Sequence, residues 1–112
     1  MKRIEAHFSR TQGEIEPVRE FLKQLDQPDR KSVGEDIATV EYGWPLGMPT
    51  CRPLGNRLWE ALSNISSKRI VRVILCIANQ SVLLLHALTK KTQKTPPEDM
   101  NLALLRNKEL EK

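Results

Sequence analysis

Arg69-Ile70-Val71-Arg72-Val73-Ile74-Leu75-Cys76-Ile77, then Ala78-Asn79-Gln80, then Ser81-Val82-Leu83-Leu84-Leu85-His86-Ala87-Leu88-Thr89, is the stretch that decides the fold. Both arms are rich in Val, Ile and Leu, the residues that pack best on a pleated sheet. The short break between them predicts an antiparallel hairpin. If Ile77 faces Ser81 across a three-residue loop, Arg72 faces His86. Side chains alternate along a strand, so Ile70, Arg72 and Ile74 then share a face with Val82, Leu84, His86 and Leu88. A slip of one residue separates the arginine from the histidine.

Working outward, 57–65 reads as a third strand preceding the hairpin, and 4–8 as a short strand near the start. Between them lie two helices. In 14–25, Ile15, Val18, Leu22 and Leu25 recur at helical spacing, with Glu16, Arg19, Glu20 and Lys23 on the other side. Pro28 opens the second helix, where a missing N–H costs little, and Val33, Ile37 and Val40 form its apolar stripe. Gly43, Pro45, Gly47 and Pro49 break the chain. Thr95 and Glu98 have the spacing of a capping box, and Met100, Ala103 and Leu104 give the last helix an apolar face. The order β-α-α-β-β-β-α predicts an α+β fold with helices on one face of an antiparallel sheet.

Charge is unevenly distributed. The net charge is +4, yet residues 61–97 contain no Asp or Glu and hold Lys68, Arg69, Arg72, Lys90, Lys91 and Lys94. The two helical segments and the short link between them, 14–41, hold eight acidic residues. A positive field on a rigid sheet suits a polyanion, and RNA is the first candidate. Aromatic residues are few, which argues against a platform that stacks successive bases. Trp59, the one beside the basic sheet, reads as core.

Several classes fall away. The chain is the length of one domain, 1–112. No apolar run is long enough to span a bilayer, and Met1-Lys2-Arg3-Ile4-Glu5 is not followed by the apolar core of a signal peptide. Cys51 and Cys76 form no metal-binding spacing and read as reduced thiols in a cytoplasm. There is no phosphate-binding glycine loop, and neither a metal nor a cofactor is expected. His7 reads as structural, and the adjacent Glu98 and Asp99 as helix-start residues. Arg72 and His86 keep two readings: a phosphate clamp with a titratable neighbour, or an arginine paired with a carboxylate such as Glu60 beside a satisfied core histidine.

Leu58-Trp59-Glu60, Arg69-Ile70-Val71-Arg72-Val73, Leu84-Leu85-His86 and Lys90-Lys91-Thr92-Gln93-Lys94-Thr95-Pro96 together resemble the HigB-type branch of the RelE/ParE toxin superfamily. The lysine-threonine-glutamine-lysine-threonine-proline run is the most specific part. The resemblance implies a RelE-like fold, with two N-terminal helices and a C-terminal helix on a small antiparallel sheet. It implies the toxin of a type II toxin–antitoxin module, an endoribonuclease that cuts mRNA on the ribosome. In such enzymes the RNA's own 2′-OH attacks the neighbouring phosphate without a metal. The catalytic positions it implies are Arg72 for transition-state charge, Lys91 and Lys94 for phosphate contact, and His86 as proton shuttle. Arg57, Lys68, Arg69 and Lys90 would hold RNA backbone.

The implied partners are a HigA-like antitoxin with a helix-turn-helix domain, the ribosome and mRNA. DNA would be reached only through the antitoxin, and no membrane is involved. Two positions depart from the resemblance: related sequences carry Arg two residues after the glutamate, where this chain has Leu62, and often an aromatic in the segment that here reads His86-Ala87-Leu88. These departures keep two alternatives in view, a ParE-like gyrase inhibitor and a catalytically weakened relative that only binds antitoxin.

Overall fold

The computed structural model describes residues 4–43, 51–78, 80–89 and 96–110. The element order is β1 (Glu5–Phe8), α1 (Pro17–Lys23), α2 (Gln27–Gly43), β2 (Cys51–Gly55), β3 (Leu58–Asn64), β4 (Ile70–Ala78), β5 (Ser81–Thr89) and α3 (Pro97–Leu110). The fold is α+β around one five-stranded sheet of order β1-β5-β4-β3-β2.

Three features of the sheet correct the sequence reading. It is mixed, because β1 runs parallel to β5, with Glu5 opposite Ser81 and Phe8 opposite Leu84. It has an added edge strand, β2, that pairs with β3. Its helices lie on both faces: Val18, Leu22, Val33 and Val40 of α1 and α2 pack with Val71, Val73 and Leu75, while Ala103 of α3 packs with Leu58, Ile74, Cys76 and Leu85. Coverage from both sides explains why β4 is buried without a break from Val71 to Cys76. Strands covered on both faces read as continuous apolar runs. Each such Val, Ile or Leu contributes about 1.5–3 kcal/mol by leaving water.

The edges are managed by specific groups. Ala6 N donates to Glu41 Oε2 at 2.7 Å, so a buried glutamate near the end of α2 satisfies an amide of the β1 edge. Asn56 and Arg57 both have positive φ, 53° and 65°, and make the tight turn from β2 to β3. Ser67 and Lys68, at 59° and 57°, do the same from β3 to β4. Paired positive φ values match the right-handed twist of a two-residue hairpin.

The register of β4 and β5 differs from the expected one in two steps. Ala78, not Ile77, faces Ser81, so the connection is one residue tighter. A bulge on β5 at Leu85 then adds a second shift, leaving Ile74 opposite His86 and Arg72 opposite Leu88. Two single shifts restore the parity of the faces. Arg72 and His86 therefore share the α3 side of the sheet but sit on adjacent rungs.

Candidate functional site

The bulge brings the chemistry of this sheet face together. An inserted residue interrupts the alternation and leaves a backbone group without its ladder partner. Leu85 and His86 consequently both reach the α3 side. Arg106 of α3 donates from Nη1 to the Leu85 carbonyl at 3.0 Å. The same Nη1 lies 2.7 Å from His86 Nδ1. Across the ring, His86 Nε2 lies 2.6 Å from Asp99 Oδ1. Asp99 and Arg106 are seven residues apart, two turns of helix, and so lie on one face of α3.

Hydrogen-bond chemistry assigns the protons. A guanidinium donates and cannot accept. Nδ1 must therefore accept from Arg106, and Nε2 carries the proton that it donates to Asp99. His86 is held as the neutral Nε2–H tautomer between a cation and an anion. His86 and Asp99 keep side-chain exposures of 12% and 23%, so the dyad borders solvent.

Beside it lies a pocket of about 430 Å³, lined by Phe21, Ala87, Leu88, Thr89, Pro96 and Asp99. It forms where β1 stops pairing at Leu84 and leaves the second half of β5 uncovered on that side. Thr89 and Pro96 are the two ends of the 90–95 connection. Lys90, Lys91 and Lys94, expected to contact phosphate and RNA, belong to that connection and lie outside the described residues, as does Thr95.

Arg72 stands elsewhere. Its Nε lies 2.8 Å from Glu60 Oε2, with side-chain exposures of 1% and 0% for the pair. Arg52 of β2 pairs with the other oxygen of Glu60 from the more exposed side. A guanidinium so enclosed cannot meet an incoming phosphate without leaving its glutamate. Of the two readings of Arg72, the ion pair with Glu60 is the one observed. Leu62 sits directly opposite Arg72, half-buried on the same face.

The expected RNA-backbone residues do not form one rim. Arg57 lies at the β2–β3 turn and Lys68 and Arg69 at the β3–β4 turn, opposite ends of the seven-residue strand β3. That separation is about 20 Å or more. Val71 faces Thr89, so Lys68 and Arg69 share their end of the sheet with the start of the 90–95 connection. Arg69 is also not free of acidic neighbours: its Nη2 donates to Asp29 Oδ2 of α2 at 3.0 Å. Asp29 accepts as well from Ser66 N at 3.0 Å and from Ser66 Oγ at 2.9 Å. The Ser66 amide, with help from its hydroxyl and from Arg69, holds the Asp29 carboxyl below its ordinary value of 3.8 despite burial pushing the other way. The acid-free reading of 61–97 holds within the segment and fails in three dimensions, because α2 supplies the carboxylate.

Sequence reasoning missed Arg106 and read Asp99 only as a helix-start residue. The one signal was their spacing on a helix whose apolar positions, Met100, Ala103 and Leu104, fix which side meets the sheet. Among the described residues there is no group of three or more His, Cys, Asp or Glu able to hold a metal. No described helix is long and apolar enough to cross a membrane.

Among the described residues, three helices on one five-stranded mixed sheet make a small α+β domain compatible with a RelE-like fold. Residues 20–108 match the family described as phage derived protein Gp49-like (DUF891), and the chain belongs to that family. It is a toxin-like, phage-derived family associated with RelE/HigB-type toxins, which implies an antitoxin partner in general. The comparison with curated proteins finds no match.

Proposed function

We propose that the chain is a HigB-type toxin of a type II toxin–antitoxin module that cuts mRNA on the ribosome. The observation carrying this reading is His86, held in one tautomer at the solvent border beside a pocket lined by Thr89 and Pro96, between which the sequence runs through three lysines. RNA cleavage by its own 2′-OH needs these parts: in-line positioning of the phosphate, positive charge for the transition state and a group that moves protons. The 2′ oxygen bonds to phosphorus as the 2′-OH proton passes to His86. The P–O5′ bond then breaks, and His86 returns the proton to the 5′ oxygen. The products are a 2′,3′-cyclic phosphate and a 5′-OH.

In this reading Lys91 and Lys94 contact the phosphate, while Lys90, Lys68 and Arg69 hold RNA backbone at the same end of the sheet. Arg57 can only touch RNA that extends to the far end. Arg72 supports the sheet face from beneath through Glu60 and leaves transition-state charge to the lysines. A HigA-like antitoxin with an acidic or amphipathic segment would cover the basic connection, and DNA would be met only through that antitoxin. The test is purified chain added to ribosomes translating a defined message. Fragments ending in cyclic phosphate are expected, and none without ribosomes.

Leu62 favours a second reading, a weakened relative that binds antitoxin without cutting. It puts an aliphatic side chain beside Arg72 where the resemblance calls for a second guanidinium. In that case Leu62→Arg gains cleavage that the natural chain lacks.

A further inference from the structure

The imidazole in the proposed site is fully engaged. Nε2 donates to Asp99 and Nδ1 accepts from Arg106, so neither nitrogen is open to a substrate hydroxyl in this arrangement. A base whose lone pair is occupied cannot take a proton. The group occupying it, however, is the kind that binds phosphodiesters best. Guanidinium matches the two free oxygens of a phosphate with parallel hydrogen bonds, and a charged acceptor strengthens such bonds over a neutral ring nitrogen.

We propose that Asp99 and Arg106 are positioning residues that make His86 a phosphate-gated base. Asp99 keeps the proton on Nε2, so the lone pair always resides on Nδ1. Arg106 covers that lone pair in the free protein. An arriving phosphodiester draws the guanidinium away, and Nδ1 is uncovered beside the phosphate whose 2′-OH it must deprotonate. The Leu85 carbonyl, at the bulge and accepting from Nη1, gives the arginine an anchor and a pivot for the exchange. Among the described residues, Asp99 and Arg106 from α3 hydrogen-bond the ring, and the uncharged Ile74 of β4 pairs across from His86. The inference rests on the nuclease reading, but its test needs no cleavage.

The experiment is nitrogen-15 NMR of the His86 ring in the intact protein, titrated with inorganic phosphate. In the free protein Nε2 carries the proton and Nδ1 shows the shift of a hydrogen-bonded acceptor. Phosphate moves the Nδ1 resonance toward its position in Arg106→Met, and Arg106→Met itself does not respond. Arg106→Lys, which keeps the charge but loses the planar bidentate fork, retains part of the response. A proton on Nδ1 in the free protein overturns the proposal, as does an Nδ1 signal that phosphate leaves unmoved. An equal phosphate response in Arg106→Met also overturns it. If Arg106→Met does not fold, the wild-type titration alone decides. Because the readout is a ring resonance, a chain that shows the response yet cuts no message contradicts the nuclease reading alone.

Discussion

Arg72 and Glu60 form an ion pair inside the sheet, Nε to Oε2 at 2.8 Å, with both side chains closed off from solvent. Such a pair is costly to break because the surviving partner stays buried and charged. Arg72→Ala is expected to destabilise the protein by about 3–5 kcal/mol, and any toxicity would fall through loss of folded protein. Replacing both partners by apolar residues, Arg72→Met with Glu60→Leu, is expected to recover most of that loss, since Arg52 is more exposed. Urea midpoints of the two singles and the double check this. A fully stable Arg72→Ala that has lost toxicity would return Arg72 to the phosphate.

The Asp29–Ser66–Arg69 cluster ties α2 to the β3–β4 turn and makes part of the stability depend on pH. The folded state lowers the Asp29 pKa, so it binds this proton less readily than the unfolded chain. The contribution is complete above the unfolded value near 3.8 and is lost as pH falls through the lower folded value. Asp29→Asn is therefore expected to be less stable than wild type at neutral pH. The gap should narrow as pH drops below 3.8, measured by denaturant titration at several pH values.

The hairpin turns offer a stabilising change. Lys68 holds φ 57° without being glycine. Lys68→Gly removes the contact between Cβ and the following carbonyl and is expected to stabilise by about 1 kcal/mol. Arg57→Gly, at φ 65°, should behave alike. Thermal midpoints read out both. The two separate in RNA binding: loss of Lys68 weakens it at the proposed end of the sheet, and loss of Arg57 changes it less.

Cys51 is predicted to be a poor nucleophile. Burial, and then the neighbouring Glu60 carboxylate, push its thiol from 9.0 to about 11. The thiolate is the reactive form. Alkylation of folded protein should be slow at neutral pH and speed up only as pH approaches that value, whereas urea-unfolded chain reacts readily. Fast neutral labelling of folded Cys51 would contradict the burial.

The hairpin core was legible in the sequence because β4 is covered on both faces, and that coverage leaves a Val/Ile/Leu-rich run in which Arg72 is the one charged residue. Its register was not, since the bulge at Leu85 is completed by Arg106, 21 residues later. β2 escaped the sequence reading because two of its five residues, Pro53 and Gly55, are types depleted in strands. Pro is tolerated there on an edge strand. The direction of β1 and the face chosen by α3 are set by long-range packing, which local pattern does not encode. Arg72 and Glu60 were legible as a possible pair, because both fall on the same alternating face. The Asp99–His86–Arg106 cluster was not, since it needs the bulge and the face of α3 together.

The most direct test of the central claim is brief induction of this chain alone in a bacterial host, with 5′-end mapping of a reporter message in the first minutes. The account predicts new 5′ ends inside translated codons. They should be absent when translation initiation is blocked and absent in His86→Gln, with the variant still folded. Growth arrest over an intact message, or ends that persist in His86→Gln, would contradict it.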